Sequence, residues 1–242
     1  MLKRDIITGR TELVQRFLNL IPKSIRLRLN PRRYAIETFV FKSSQKLPQN
    51  SRILDAGAGP CPYKNMFSHC KYEATDFSNP NKMLNFVCTL DNIPQKDNSY
   101  DAVLCTEVLE HVEYPQKVIN ELYRVLKKGG KLLLTTPQQF MVHQKPYNFY
   151  YFTKYGLASL LADAGFKKFK INPQGGYFWA LGDLIRHNGL SQQYKNISLI
   201  YYLIKVIAYP FTQIILPFIL FHLDFIDKSK DWTMGYTLEA VK

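Results

Sequence analysis

The sequence contains few of the residues that define cysteine-rich and metal-dependent folds. Of its 242 residues only four are cysteines, and they form neither a C-x-x-C pair nor a spacing typical of zinc ligands: Cys61, Cys70, Cys88 and Cys105. We therefore expect no disulfide framework and no bound metal. The first residues also lack the apolar segment of an export signal, because charges at Lys3, Arg4 and Asp5 interrupt it. A protein of the reducing cytoplasm is the simplest expectation.

Internal repeats and low-complexity tracts are also missing, and the composition is that of a folded chain, with 46% apolar and 21% charged residues. The length suits one α/β domain with appendages. The net charge of +13 is uneven, because residues 1–50 hold 11 Lys and Arg against 3 Asp and Glu. We expect this basic N-terminal arm to be helical, with an apolar stripe within 13–21 and a second helix over 34–46. It either contacts phosphates of anionic lipid or nucleic acid, or is a solvated basic face.

Residues 51–173 alternate short apolar strands with helical stretches, which predicts a parallel sheet. Strands are predicted over 52–56, 71–75, 84–90, 100–106, 131–135 and 166–171. Helices are predicted over 152–164 and from Pro115 to a stop at Gly129 and Gly130. A last strand over 232–241 returns to the sheet.

Residues 174–231 form a predicted helical insertion that contains an apolar run at 197–226. A single membrane-spanning helix is disfavoured, because Pro210 and Pro217 divide the run and Lys205 lies inside it. Two short helices remain possible in three settings: in a membrane interface, over an apolar substrate cleft, or packed in the core. We expect a cytoplasmic protein, which in the first of these settings associates peripherally with a membrane.

Two acidic positions and a glycine turn carry the first chemical signal. Residues 53–59 read ILDAGAG, where glycines at a strand-to-helix turn let the backbone approach a ligand closely. Asp55 is placed to hold an amino group, and Asp76 closes the second strand, where a carboxylate accepts ribose hydroxyls. Pro62 occupies the third glycine position of the dinucleotide fingerprint, so a nicotinamide enzyme is disfavoured.

The stretch from Asp91 to Pro137 adds an ordered set of motifs: LDNIP, SYDAV, VLEHV and ELYRVLKKGGKLLLTTP. Together with ILDAGAG these segments resemble the class I S-adenosylmethionine-dependent methyltransferases of small-molecule type, over about residues 50–175. The resemblance implies a seven-stranded Rossmann-like sheet with helices on both faces, in which strand seven runs antiparallel between strands five and six. It also implies S-adenosylmethionine as cofactor and a domain order of 1–50 arm, 51–173 core, 174–231 insertion and 232–242 returning strand.

The same resemblance implies where the cofactor binds. The methionine part would contact the glycine turn, the ribose would contact the end of strand two, the adenine would lie by the third strand, and the site floor would follow strand four. The implied residues are Asp55, Ala56, Gly57, Gly59, Asp76, Phe77, Thr89, Leu90, Asp91, Thr106 and Glu107. Cys61 replaces the third glycine of the family turn, Thr89 replaces a frequent aspartate, and the helix between strands two and three must be short.

Residues 136–166 resemble a subgroup that carries a His and a Pro-Tyr-Asx-Phe element after strand five. Such a loop covers the acceptor, which makes His143, Tyr147, Phe149 and Tyr151 candidates for substrate contact. His143 is a candidate general base, or else a structural residue of the loop. His111 either faces the cleft and helps in catalysis or caps the next helix.

The sequence therefore predicts a methyltransferase acting on a small or lipid-linked acceptor, such as a prenylated quinone or a polyprenyl-linked glycan. Nucleic acid is a disfavoured partner, because the arm lacks interleaved aromatic residues and no N/D-P-P-Y segment follows strand four. The alternatives are an RNA methyltransferase that uses the arm, and a non-catalytic membrane-associated scaffold with this fold.

Overall fold

A computed structural model describes residues 22, 27–78, 82–188, 208 and 211–242. The predicted apolar stripe at 13–21, and the parts of the apolar run at 197–207 and 209–210, lie outside the described residues. The fold is therefore described from the second predicted helix onward.

Seven strands form one mixed sheet in the order β3-β2-β1-β4-β5-β7-β6. The strands are β1 Arg52–Ala56, β2 Lys71–Asp76, β3 Phe86–Val87, β4 Tyr100–Thr106, β5 Leu126–Pro137, β6 Lys168–Pro173 and β7 Gly235–Val241. All neighbouring pairs among β1 to β5 are parallel, whereas β7 is antiparallel to both β5 and β6. This order and the position of strand seven confirm the fold predicted from the sequence.

Five α-helices belong to the described residues: α1 Pro31–Ser44, α2 Pro115–Val125, α3 Lys154–Asp163, α4 Tyr177–Asn188 and α5 Leu216–Leu223. Short 3₁₀ turns cover Lys64–Phe67 and Leu109–His111, and a π-helical turn covers Phe211–Ile215. Pro115 lies in the first turn of α2, where its missing N–H group has no helical partner to lose.

Helices cover both faces of the sheet, which explains why the central strands are almost wholly apolar. In β4, Val103 and Cys105 pack into a cluster with the buried side of α2 and α3, while Ala102 and Leu104 pack with α1. Successive side chains of a strand point to opposite faces, so a strand covered on both sides buries every residue. The residues of β4 from Ala102 to Cys105 are accordingly buried.

The bounds of several elements differ from the sequence prediction, most of all those of β5 and β3. Helix α2 ends at Val125 and β5 begins at Leu126, so Gly129 and Gly130 do not end the helix but lie within the strand. The pairing of β5 with β4 shifts register there, and Gly129 takes a positive φ of 79°. β3 is also shorter than predicted, because only Phe86 and Val87 pair with β2.

The chain divides into two compact units, one made of residues 35–176 and 229–242 and the other of residues 1–34 and 177–228. The first contains the sheet. In the second, Trp179 stacks on Phe221 with ring centroids 4.6 Å apart, and its indole N–H donates to the Phe221 carbonyl. Asp183 accepts two hydrogen bonds from Arg32 in the same unit. No helix among the described residues is long and apolar enough to cross a membrane.

Candidate functional site at the carboxyl edge of the sheet

The predicted site residues lie at the carboxyl ends of β1, β2 and β4 and on the loops that follow β1, β2, β3, β4 and β5. These strands are parallel neighbours or near neighbours, so their carboxyl ends share one edge of the sheet. In open α/β sheets this edge is where ligands bind. The fold therefore gathers segments that are far apart in the sequence.

The glycine turn after β1 has a backbone that only glycine adopts readily. Gly57 and Gly59 have φ of +77° and +50°, and the N–H groups of Gly57 and Ala58 donate to the Thr75 carbonyl at 2.9 and 3.0 Å. A Cβ on Gly57 would lie 2.5 Å from a methyl of Val108, whereas a Cβ on Gly59 would meet no atom within 4 Å. The turn is therefore packed on the Val108 side and open at Gly59, as a ligand cradle requires.

Asp55 lies at the floor of this turn and is 1% exposed. The Tyr72 hydroxyl donates to its Oδ2 atom, while Oδ1 has no hydrogen-bond partner among the described residues. Burial raises the pKa of Asp55 to about 7; the Tyr72 hydrogen bond opposes this effect and the charge of Asp76 adds to it. A buried carboxyl with a spare oxygen fits the ammonium group of a methionine moiety, which would supply the missing charge and donor.

Asp76 ends β2 and links the strand to the glycine turn. Its Oδ2 accepts the Gly59 N–H at 2.9 Å, and its Oδ1 accepts the Phe77 N–H at 2.7 Å. Each carboxylate oxygen has a further lone pair, so the group can still accept the two hydroxyls of a ribose. The Phe77 side chain is largely exposed.

A cleft lies beside the turn that follows β3. It is lined by Thr89, Leu90, Asp91, Val112, Glu113, Tyr114 and Val118. Leu90 and Val118 are buried and supply an apolar wall, while Thr89 and Asp91 are exposed at the rim. This arrangement fits a flat heterocycle such as adenine, with polar groups at one side.

The departures from the family pattern have local explanations. Cys61 has a φ of +52°, the left-handed conformation that a glycine would adopt, and its side chain is buried. Thr89 accepts a hydrogen bond from Asn92 through its carbonyl, which forms the turn beside the cleft. The turn geometry thus persists without the third glycine.

The loop after β4 continues from Thr106 to a 3₁₀ turn. Glu107 has a φ of +52°, its N–H donates to the Thr135 carbonyl, and its Oε1 accepts the Thr135 hydroxyl at 2.9 Å. Glu110 follows and is 1% exposed, with the Thr136 hydroxyl 3.5 Å from its Oε2. Both glutamates are therefore tied to the end of β5.

The two candidate histidines lie side by side. Their ring centroids are 4.7 Å apart, and His111 Nε2 lies 3.7 Å from Glu110 Oε1. Burial lowers the pKa of His111, the hydrogen bond to the Tyr147 carbonyl opposes this shift, and the charge of His143 adds to it. His111 Nδ1 hydrogen-bonds the Tyr147 carbonyl in the loop after β5, and no side-chain hydrogen bond caps α2.

The aromatic loop after β5 covers this turn. The N–H groups of Phe149 and Tyr150 donate to the Glu110 carbonyl, and the Tyr151 hydroxyl lies within hydrogen-bond distance of two acceptors, the Met141 carbonyl at 3.1 Å and Asn148 Oδ1 at 2.9 Å. Tyr147, Phe149 and Tyr151 are exposed. Whether these three side chains contact an acceptor stays a prediction, which their exposure allows.

Sequence reasoning missed three residues of this edge. Tyr72 bonds Asp55, Val108 closes the glycine turn, and Glu110 joins the histidines. The alternation of β2 and the VLEHV motif place Tyr72 and Glu110 near the edge, but only the strand pairing brings them to their partners.

Residues 54–134 match a family model described as a methyltransferase domain. A ubiquinone biosynthesis O-methyltransferase of Xanthomonas oryzae is 48% identical over 46 residues, which is 19% of either chain. A tRNA (carboxymethyluridine(34)-5-O)-methyltransferase of Arabidopsis thaliana is 29% identical over 137 residues, 51% of this chain and 33% of the relative. The chain thus matches about a fifth to a third of the length of these curated relatives.

Among solved structures, the Haemonchus contortus phosphoethanolamine N-methyltransferase 2 in complex with S-adenosyl-L-methionine superposes with a TM-score of 0.52. It is 16% identical, and the match covers 84% of this chain and 51% of that one. At this identity the likeness concerns the fold. Residues 54–134 therefore carry a methyltransferase domain, which agrees with the expected S-adenosylmethionine-dependent class, and the likeness to the solved structure supports the fold.

Proposed function

We propose that this chain transfers a methyl group from S-adenosylmethionine to a small or lipid-linked acceptor, of the prenylated quinone or polyprenyl-linked glycan type. The observation that carries the cofactor half is the buried Asp55 carboxyl, which has a spare oxygen, in the same turn as the open Gly59 position. In this proposal Asp55, Ala56, Gly57 and Gly59 hold the methionine part.

The remaining cofactor contacts follow the same edge. Asp76 accepts the ribose hydroxyls beside Phe77, the cleft at Thr89, Leu90 and Asp91 takes the adenine, and Thr106 and Glu107 form the floor. Methyl transfer from a sulfonium is a displacement that gains most from positioning. These groups would fix the sulfur and its methyl facing the loop after β5.

The acceptor half rests on the aromatic loop. Exposed aromatic side chains with polar tips bind apolar or aromatic ligands while remaining wet at one end, which suits Tyr147, Phe149 and Tyr151. In this proposal His143 and His111, whose ring centroids are 4.7 Å apart, meet an acceptor hydroxyl. This use of the loop corresponds to the subgroup with the His and Pro-Tyr-Asx-Phe element. The match to ubiquinone O-methyltransferases agrees with a hydroxylated quinone precursor.

Association with a membrane surface belongs to the same proposal. The described part of the apolar run exposes several large apolar side chains: Phe211, Ile215, Ile219, Phe225 and Ile226. Such a surface, with the basic residues 1–50, suits a peripheral position on anionic lipid. We expect sedimentation with vesicles of phosphatidylglycerol and phosphatidylcholine that weakens with salt and is reduced in Ile219→Asp. The matched change at an exposed aromatic of the other unit, Tyr155→Asp, should leave sedimentation unchanged.

The cofactor half is tested by titration calorimetry with S-adenosylmethionine and S-adenosylhomocysteine. The parent should bind both, and Asp76→Ala should bind at least about tenfold more weakly, which equals about 1.4 kcal/mol. Asp163→Ala removes an exposed carboxylate of α3 and should bind as the parent does. An absence of binding in the folded parent would instead support the non-catalytic scaffold.

The acceptor half is tested by transfer of a labelled methyl group to three acceptors: a prenylated catechol, a polyprenyl-linked glycan and tRNA. The relative of Arabidopsis thaliana, which matches half of this chain, favours RNA as the second candidate. Label in tRNA, together with salt-sensitive RNA binding in a filter assay, would replace the lipid acceptor by that candidate.

A further inference from the structure

Three potential metal ligands converge at the end of β4. One nitrogen each from His111 and His143 and a carboxylate oxygen of Glu110 lie within 4.8 Å of one another. The linear sequence hides this group, because His143 arrives from the loop after β5. Two imidazoles and one carboxylate are a common set of protein ligands for a metal ion.

The hydrogen bonds of the two rings leave the correct atoms for coordination. His111 Nδ1 contacts the Tyr147 carbonyl, and His143 Nδ1 contacts the Met141 carbonyl at 3.0 Å. A carbonyl oxygen only accepts, so each Nδ1 carries a proton and donates it. In a neutral imidazole the other nitrogen, Nε2, then holds a lone pair. Metal-binding histidines show this same pattern, in which a backbone carbonyl fixes the ring and its tautomer.

The surroundings supply the charge and the rigidity that a metal site needs. The Glu110 side chain is 1% exposed, and its own carbonyl accepts the Phe149 and Tyr150 N–H groups, which fixes the aromatic loop against this turn. The ring of Phe140 packs edge-on against His143 at 5.1 Å. The three ligands are thus held by the packing of two loops on the sheet.

We propose that Glu110, His111 and His143 bind one divalent transition-metal ion at the acceptor side of the site. The donor set favours Mn²⁺, Fe²⁺, Co²⁺ or Zn²⁺ over Mg²⁺, which prefers oxygen ligands and retains its water. Three protein ligands leave coordination positions open for a substrate oxygen. The site adjoins the cofactor turn, because Val108, two residues before Glu110, is the neighbour of Gly57.

The role of the ion rests on the proposed methyl transfer. A bound metal lowers the pKa of a coordinated hydroxyl, so the acceptor loses its proton to solvent water. The acceptor oxygen then forms a bond to the methyl carbon as the carbon–sulfur bond breaks, and the sulfur keeps that electron pair. The products are the methylated acceptor, S-adenosylhomocysteine and one proton. An aromatic diol is well suited to such a site, since two adjacent oxygens can fill two open positions.

Metal binding by the full chain tests the site without any acceptor. Calorimetry with MnCl₂ and ZnCl₂ should give one ion per chain, and Co²⁺ should develop visible absorption bands of a nitrogen- and oxygen-coordinated ion. His143→Asn and Glu110→Gln should each weaken binding by about 100-fold or more, since loss of a ligand exceeds the 10–100-fold effect of an outer-sphere change. His69→Gln removes a histidine that contacts Ser44 elsewhere in the sheet unit and should bind as the parent does.

Circular dichroism and melting temperature without metal identify any variant that fails to fold, and His143→Asn in the loop then serves as the decisive variant. Equal metal affinity in the parent and in His143→Asn would overturn the site, as would equal losses in His69→Gln and His143→Asn. If metal binding depends on His143 but the chain does not bind S-adenosylmethionine, the metal site is supported and its proposed role in methyl transfer is overturned.

Discussion

The glycine turn permits a sharp test, because its two glycines share a left-handed backbone but differ in their surroundings. Gly57→Ala and Gly59→Ala both place a side chain at positive φ, which costs about 1–2 kcal/mol. Both also reduce the entropy of the unfolded chain by a similar amount. Only the new methyl at Gly57 lies 2.5 and 2.9 Å from the methyl carbons of Val108.

Overlap of this kind in a packed region costs about 1–3 kcal/mol, because a β-branched side chain cannot turn away. We therefore expect Gly57→Ala to lower the free energy of unfolding by about 1–3 kcal/mol more than Gly59→Ala does. Urea unfolding of the cofactor-free protein, followed by circular dichroism, measures this difference. A cycle with Val108→Ala isolates the overlap, since that change removes both methyl carbons and leaves Cβ at 3.3 Å.

In the Val108→Ala background the additional loss at Gly57 should fall to that of Gly59→Ala. Equal losses for the two single glycine variants would refute the argument from packing, as would an unchanged loss at Gly57 after Val108 is shortened. We expect the opposite order for cofactor binding. Gly59→Ala fills the open face of the turn, so it should weaken the binding of S-adenosylmethionine more than Gly57→Ala does, although it destabilises the protein less.

Three further outcomes follow from buried or paired charges. Asp55→Asn should weaken the binding of S-adenosylmethionine by at least about tenfold. It should also raise the melting temperature of the cofactor-free protein at pH 8. The pKa of Asp55 is about 7 in the folded state, so the parent loses stability as the pH rises from about 4 to 7, and the Asp55→Asn variant avoids this loss. Parent affinity for the cofactor should accordingly rise between pH 6 and 8 and stay flat in Asp55→Asn, as calorimetry at several pH values would show. Burial by itself would raise the pKa of Asp183, but Arg32 lowers it to about 2, so this stabilisation is present above pH 4 and is lost as pH falls toward 2. Arg32→Met should lower the free energy of unfolding by about 3–5 kcal/mol in urea, against less than 1 kcal/mol for exposed Arg33→Met, and similar losses would contradict the pairing.

The sheet was predictable from sequence where burial alone decides the pattern. β1 and β4 have the predicted bounds, because a short strand covered on both faces is largely apolar and stands out from the polar segments beside it. The predicted β3 is too long, because only Phe86 and Val87 pair with β2. Their pairing with Thr75 and Asp76 cannot be inferred from the composition of the segment.

Some residues of the candidate site could likewise be predicted from the sequence, and others could not. Asp55 and Asp76 could be placed at this edge because they lie in the last two residues of adjacent parallel strands, whose carboxyl ends meet at one edge of the sheet. The Tyr72 hydroxyl on Asp55 depends on the register between β1 and β2, and His143 beside His111 depends on the path of a loop. Neither register nor loop path has a one-residue signal, so these contacts required the structure.

The charge of this edge argues for a compact acceptor over a polyanion. The chain as a whole is +13, yet the edge around the proposed cofactor holds a group of carboxylates: Asp55, Asp76, Asp91, Glu107, Glu110 and Glu113. S-adenosylmethionine carries a sulfonium and an ammonium group, and a divalent ion adds two more positive charges, so each is attracted there. A nucleic acid backbone would be repelled from the same edge unless basic residues elsewhere outweighed it. A neutral hydroxylated acceptor meets no such barrier, which favours the lipid or quinone acceptor that we propose over RNA.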